Sequence, residues 1–188
     1  VLAASLPARQ LSDFGLRVGL ALSTLYLGWS WVAQGAAVRH AEAALADAGI
    51  EQAPMFITPT PFNTLLWRVL VRTDDGYLEG FDSLLLSEDG LEFEVYSSDT
   101  RALNEAGNVW AVKRLRWFAR DFVRADVEND RLVISDLRMG QEPHYVFRHV
   151  VAARGNPSWE PVPSELLPFS IDQRALGAVW QRLWAEGN

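Results

Sequence analysis

The 188-residue chain has no cysteine, which excludes disulfides, a thiolate nucleophile and every cysteine-ligated zinc or iron–sulfur site. Histidine is scarce, with His40, His144 and His149 alone, and lysine occurs once, at Lys113, so arginine carries nearly all the positive charge. The sequence also lacks His-x-x-x-His, a Walker-type loop, Gly-x-Ser-x-Gly and Gly-x-Gly-x-x-Gly, so no catalytic motif is encoded locally. A net charge of −7 argues against nucleic acid as a partner. What remains is 49% apolar and 22% charged, too hydrophobic for a disordered chain and long enough for one domain with an appendage.

From Val18 to Val38 run 21 uncharged residues, 14 of them apolar, three glycine, and four polar (Ser23, Thr24, Ser30 and Gln34). At ~1.5 Å per residue this stretch just crosses a hydrocarbon layer of about 30 Å. Tyr26, Trp29 and Trp31 sit in its second half, as interfacial aromatics do. It reads as a transmembrane helix, against the alternative of a long buried helix. A cleaved signal fits poorly, because the stretch is too long and Arg39-His40 follow it. Arg9 and Arg17 before it, against Arg39 after it, weakly put the N-terminal end in the cytoplasm. Val1 is no initiator, so the chain reads as a mature product or a piece of a longer protein. Arg39 to Ala48 is alanine-rich and Gly49 stands where a helix is capped. Residues 1–50 are thus expected to be a long apolar helix with its extension, and 51–188 a soluble α+β domain.

In that domain Pro54, Pro59 and Pro61 force an extended start. Leu65 to Thr73, Tyr77 to Leu86 and Leu91 to Ser97 predict an antiparallel meander, with Asp74-Asp75-Gly76 as its first turn. Leu91, Phe93 and Val95 alternate with Glu92 and Glu94, the pattern of a strand with one wet face. Thr100 to Phe122 predicts one helix crossing the sheet, with Val112, Leu115, Phe118 or Ala119, and Phe122 inward. Three more strands follow, at Val123 to Val127, Arg131 to Leu137 and Tyr145 to Ala153. Asn156 to Pro163 predicts an irregular arm anchored by Trp159. Ser170 and Gln173 then open a C-terminal helix bearing Ile171, Ala175, Val179 and Leu183. The expected fold class is α+β, with a largely antiparallel sheet of about six strands.

His144 and His149 are five apart at and within a predicted strand, so they face opposite ways and cannot share a metal. His40 reads as a polar residue at the end of the apolar helix. Arg68 shares a strand face with Leu66 and Leu70, and an isolated charge there is too costly to leave unpaired. Asp136 follows Leu132 and Ile134 on another strand face, so Asp136–Arg68 or Asp136–Arg138 pairing would satisfy the charges. Lys113, Arg114, Arg116, Arg120 and Arg124 make a basic stripe, read as a solvated or ion-paired face, or as one meeting anionic lipid headgroups.

The segment Thr58-Pro-Thr-Pro-Phe-Asn-Thr-Leu-Leu-Trp-Arg68, with Gly76-Tyr77, Gly80, Arg114-Leu-Arg-Trp-Phe118, Asp136-Leu-Arg-Met-Gly140 and Tyr145-Val-Phe147, resembles the C-terminal half of the LexA-binding, inner-membrane-associated metal-dependent hydrolase family. The resemblance covers about residues 55 to 155. It implies a bacterial inner-membrane protein whose upstream membrane helices carry histidine and acidic motifs, none of which is in this chain. The chain would then be a C-terminal soluble domain accessory to an active site on those helices, and itself not catalytic. No cofactor is expected here, with a divalent metal in the full-length protein. The implied partners are membrane lipid and the upstream membrane helices of the same protein; DNA-associated regulation is suggested by the family's name alone. Asn63, Arg68, Asp136 and Arg138 would be the polar groups facing substrate or the membrane half. The alternative is a non-catalytic, membrane-tethered ligand- or protein-binding module.

Overall fold

The computed structural model describes residues 5–50, 52–61, 63–85 and 91–168. It begins with one long helix, α1 (Ser5–Asp47). The first sheet contains β1 (Met55–Pro59), β2 (Leu66–Arg72), β3 (Gly76–Ser83) and β4 (Phe93–Ser97), in that order and antiparallel. Two short helices follow, α2 (Thr100–Glu105) and α3 (Trp110–Ala119). The second sheet is built from β5 (Val123–Glu128), β6 (Arg131–Asp136), β9 (Arg148–Arg154) and β10 (Trp159–Leu166), ordered β10-β9-β6-β5. Between β6 and β9 lies a small ribbon of β7 (Gly140–Gln141) and β8 (His144–Tyr145).

The α+β class and the antiparallel pairing agree with the sequence reading. The single six-stranded sheet does not, since the described residues form ten strands in three sheets. Two of the four extra strands, β7 and β8, are the short ribbon, and the other two come from proline-rich segments. β1 lies in the stretch around Pro54 and Pro59, and β10 carries Pro161 and Pro163. Both are outer strands of their sheets, where a missing N–H breaks no interior ladder. The pairing of β10 with β9 shifts register between Pro161 and Glu165, so the strand bulges around its second proline and resumes. Trp159 is buried, as an anchor should be.

Turn chemistry sets the meander. The Thr73 N–H donates to the Gly76 carbonyl at 3.0 Å, closing β2 onto β3 around Asp74-Asp75. A side chain at Gly76 would collide with the Tyr96 carbonyl of β4, so only glycine lets the two strands approach there. Asn129 and Asp130 join β5 to β6 with both residues at positive φ, 51° and 58°, the conformation of a tight hairpin turn that follows the strand twist. Leu91 and Phe93 pack against the core while Glu92 and Glu94 are exposed, as the alternation predicts, but Val95 is exposed and Tyr96 stacks on Tyr77, so the pattern breaks at the end of β4.

The helix expected from Thr100 to Phe122 is two helices. Asp99 caps α2, accepting from the Ala102 N–H at 2.8 Å, and the chain leaves the helix at Gly107-Asn108, two poor helix formers. Val112 and Ala119 of α3 are buried, whereas Phe118 is 56% exposed. Together α2 and α3 cover the second sheet, burying Ala102, Leu103 and Val112 against Ala125, Leu132, Ile134 and Val151. The strand expected from Tyr145 to Ala153 is interrupted at Val146-Phe147, which puts His144 and His149 on separate strands. The C-terminal helix expected from Ser170 onward lies outside the described residues.

One face of the first sheet is covered by α1. Ala33, Ala37, Ala41 and Leu45, four residues apart, are buried against Trp67, Val69, Val71, Leu78 and Leu91. The helix stops at Gly49, whose φ is +71°, with the Ile50 N–H returning to the Leu45 carbonyl at 2.8 Å. The transmembrane span expected at Val18 to Val38 is corrected: no helix of the described residues is long and apolar enough to cross a membrane. Four polar residues and three glycines dilute the stretch, and its last turns are committed to the sheet through Ala33 and Ala37.

Replacing Ile134, which is buried in the second sheet's core, with alanine should cost about 2–5 kcal/mol. Urea unfolding should show a lower midpoint at unchanged m-value, whereas Val95→Ala on the exposed face should stay within about 0.5 kcal/mol of wild type.

Candidate functional site

The second face of the first sheet carries Leu70 and Tyr77, which meet Phe122, Leu137 and Tyr145 from the second half of the chain. Arg68 is on this face too, 4% exposed on a central strand. Its Nε donates to Glu79 of β3, itself 4% exposed, and its Nη1 donates to the Leu137 carbonyl at 2.7 Å. Its Nη2 is buried without a partner. The predicted rule, that a charge here must be paired, therefore holds, but the partner is Glu79 and not Asp136.

Asp136 pairs with Arg138, as one of the two expected alternatives had it. Both carboxylate oxygens are engaged, by Nε at 3.0 Å and Nη2 at 2.7 Å, and the Arg138 N–H adds a third bond at 3.0 Å. The Asp136 hydrogen bonds raise the pKa of the Arg138 guanidinium, locking it in its charged form. Asn63 shapes the turn into β2: its Oδ1 accepts from the Leu65 and Leu66 N–H groups, and its Nδ2 donates to Thr60 Oγ1 at 2.7 Å. The four residues singled out in the sequence therefore serve three separate local structures. They do not converge on one site.

The polar groups that do converge are ones the sequence reading passed over. Glu79 Oε2 accepts from the Glu142 N–H at 3.3 Å. The Glu142 carboxylate accepts from Tyr77 Oη at 2.6 Å and from Arg124 Nη1 at 2.6 Å. Tyr77 and Tyr145 hydroxyls lie 3.0 Å apart, and Arg124 Nη2 also meets Asp126 at 3.0 Å. Arg124, expected on the basic stripe of the helix, is on β5 and belongs to this network. One signal was available: Glu79 occupies a strand position facing Leu70 across the ladder, and a carboxylate placed among apolar residues announces a buried partner.

This network borders a cleft of about 310 Å³ lined by Arg124, Asp126, Glu128, Glu142, Tyr145 and Arg148. Burial, then hydrogen bonding to Glu142, raises the Tyr77 pKa. Burial and the Glu79 charge do the same for Tyr145. Both phenols stay protonated and act as donors rather than bases. Burial would push Glu142 up, but the bonds from Tyr77 and Arg124 outweigh it and leave the carboxyl below its ordinary range. Such a carboxylate is ionised and occupied at neutral pH, the opposite of a poised general acid. Glu128 is likewise held by Arg148.

A separate pair ties α1 to the first sheet. His40 Nδ1 lies 3.1 Å from Asp82 of β3. Burial raises the Asp82 pKa, and the bond to His40 only partly offsets it. His149 Nδ1 is 3.4 Å from Ser164 Oγ at the exposed edge between β9 and β10. Among the described residues no group of three or more histidine, aspartate or glutamate side chains could hold a metal ion. Comparison with known proteins adds no relative, since no family model, curated protein or solved structure matches the chain.

Removing Glu79 as Glu79→Leu should strand the Arg68 guanidinium and cost about 3–5 kcal/mol in urea unfolding, whereas Arg68→Met/Glu79→Leu should recover most of that loss. The lowered pKa of Glu142 sets a sign for pH dependence. Its contribution is complete above the unfolded glutamate pKa of about 4.3 and is lost as pH falls through the folded value. Glu142→Gln should therefore flatten the acid limb of a stability-versus-pH profile, and an unchanged limb would contradict the role given to this carboxylate.

Proposed function

We propose that this chain is a non-catalytic accessory module of a larger assembly, seated through the first half of α1 on further helices. The observation that carries this reading is the surface of that half-helix. Phe14, Leu16, Leu20, Leu22, Leu25, Leu27, Trp31 and Val32 are all exposed, and they point to every side of the helix. A helix apolar all round is stable where its whole circumference is covered by other apolar surface, and contiguous exposed apolar side chains of this kind mark a contact surface. From Ala33 onward the same helix is packed on the first sheet, so it joins the β domain rigidly to whatever covers its first half.

The polar residues fit an accessory role. Asn63 is spent on a turn, and Arg68, Arg138, Arg124 and Glu142 are spent on ion pairs. Among the described residues no nucleophile is held by a base with a third group behind it, the arrangement that acyl or phosphoryl transfer would need. The family resemblance supports the same division of labour, with chemistry placed on the covering helices and not on this chain.

Two measurements test this. The purified chain, supplied separately with zinc, manganese and magnesium, should turn over ester and phosphoester substrates no faster than the blank; metal-dependent turnover by this chain would sink the proposal. A photo-crosslinking amino acid at Leu22 should form adducts mapping to other helices in the assembled protein. The same group at Val95 should not, and equal labelling from both positions would count against a specific seat.

A further inference from the structure

The charged residues of the β domain are almost fully matched. Every arginine on its strands, Arg68, Arg72, Arg124, Arg131, Arg148 and Arg154, has a carboxylate within salt-bridge distance. So do Arg101, Arg116 and Arg138. Among the described residues of this domain, the cations left without a carboxylate are Lys113, Arg114 and Arg120, and all three are on α3 or at its C-cap. In a chain of net charge −7, that concentration of unmatched positive charge on one helix has no counterpart among the described residues of the domain.

The same helix face is aromatic. Trp110, Lys113, Arg114, Trp117 and Phe118 follow at spacings of three and four, so they share one side of α3. Trp110 is 74% and Trp117 68% exposed, and Met139 of the β6–β7 connection is exposed as well. The rings are not loose. The Arg114 guanidinium lies 4.4 Å from the centroid of Trp117, and that of Arg138 lies 5.0 Å from Phe118. Arg138 is itself fixed by Asp136. Guanidinium planes over rings form a platform whose side-chain freedom is already reduced, which lowers the entropic cost of binding.

We propose that this face of α3, with Arg138 and Met139, is the docking surface for an acidic segment of a partner protein. Carboxylates of the segment would meet Lys113, Arg114 and Arg120, and its apolar side chains would cover Trp110 and Trp117. The composition is that of an interaction hot spot, rich in tryptophan and arginine with a single lysine. An arginine held by its neighbouring ring keeps its N–H groups available for a carboxylate, and Arg114 has no carboxylate in salt-bridge distance to occupy them. A lipid surface is favoured less, because helices lying in a bilayer separate their basic residues from their apolar face, whereas here arginines and rings interleave. Duplex DNA would present a phosphate array to three unmatched cations on an acidic chain, too few for stable non-specific binding. The proposal stands on α3 alone and does not depend on how α1 is covered.

The test uses the whole chain and a fluorescein-labelled amphipathic peptide of glutamate and leucine, with a glutamine-for-glutamate counterpart, read by anisotropy. The glutamate peptide should bind at least about tenfold more tightly than the glutamine peptide and lose affinity with added salt. Arg114→Glu and Trp117→Ala should each weaken it by about tenfold or more. Both side chains point outward, so thermal unfolding should confirm that the variants remain folded. Absence of binding by the glutamate peptide, or equal binding of the two peptides, overturns the proposal. So does binding that depends on Trp117 and Arg114 but is seen only with phosphatidylcholine–phosphatidylglycerol vesicles or with short duplex DNA.

Discussion

A guanidinium buried in the middle of a sheet constrains everything around it. Arg68 cannot reach water from β2, so the chain must bring a carboxylate and a carbonyl to it. The carboxylate comes from the adjoining strand as Glu79, and the carbonyl from Leu137 at the end of β6. The second of these requires the two sheets to meet, and Glu79 extends the requirement by accepting from the backbone of Glu142 in the ribbon. Glu142 in turn gathers Tyr77 and Arg124. The polar network thus runs from the first sheet through the ribbon to β5, alongside the apolar contacts of Leu70, Phe122 and Tyr145. Apolar burial supplies most of the stabilisation, while the directional bonds favour this registry of the two halves over its neighbours.

Local signals explain which parts of this were legible in the sequence. The first hairpin of the meander could be read because Asp74-Asp75-Gly76 is a turn sequence placed between two β-rich runs, with glycine where β4 approaches closely. Trp159 could be read as an anchor because a large aromatic amid prolines has few other uses. The break between α2 and α3 was carried by a Gly-Asn pair that a periodicity argument overrides too easily. The division into two sheets was not local at all. It depends on which strand edges are paired, and β1 and β10 arise from segments that propensity alone dismisses because of their prolines.

The polar residues were half legible for a related reason. That Arg68 needed a partner followed from its face on the strand. Which partner followed only from register, since Glu79 lies diagonally across the ladder, two residues from Phe81, which directly faces Arg68. Asp136 and Arg138 are two apart, and their pairing could be foreseen from sequence distance. For Glu142, 63 positions from the residue it helps, no local pattern existed. In α1, composition gave an apolar helix, but the alanine stripe at every fourth residue from Ala33 marks a close-packed helix–sheet contact more than a lipid-facing surface.

The prolines of β10 have a consequence beyond their local geometry. An outer strand ordinarily offers a regular row of backbone donors, and a stranger's strand can extend the sheet by occupying them. With Pro161 and Pro163 two residues apart and a bulge between Pro161 and Glu165, β10 lacks that regular row. What looks in the sequence like a break in structure is a terminator. It lets the second sheet grow to β10 and denies it the next strand, so that this edge is guarded against the runaway edge-to-edge stacking from which aggregates grow.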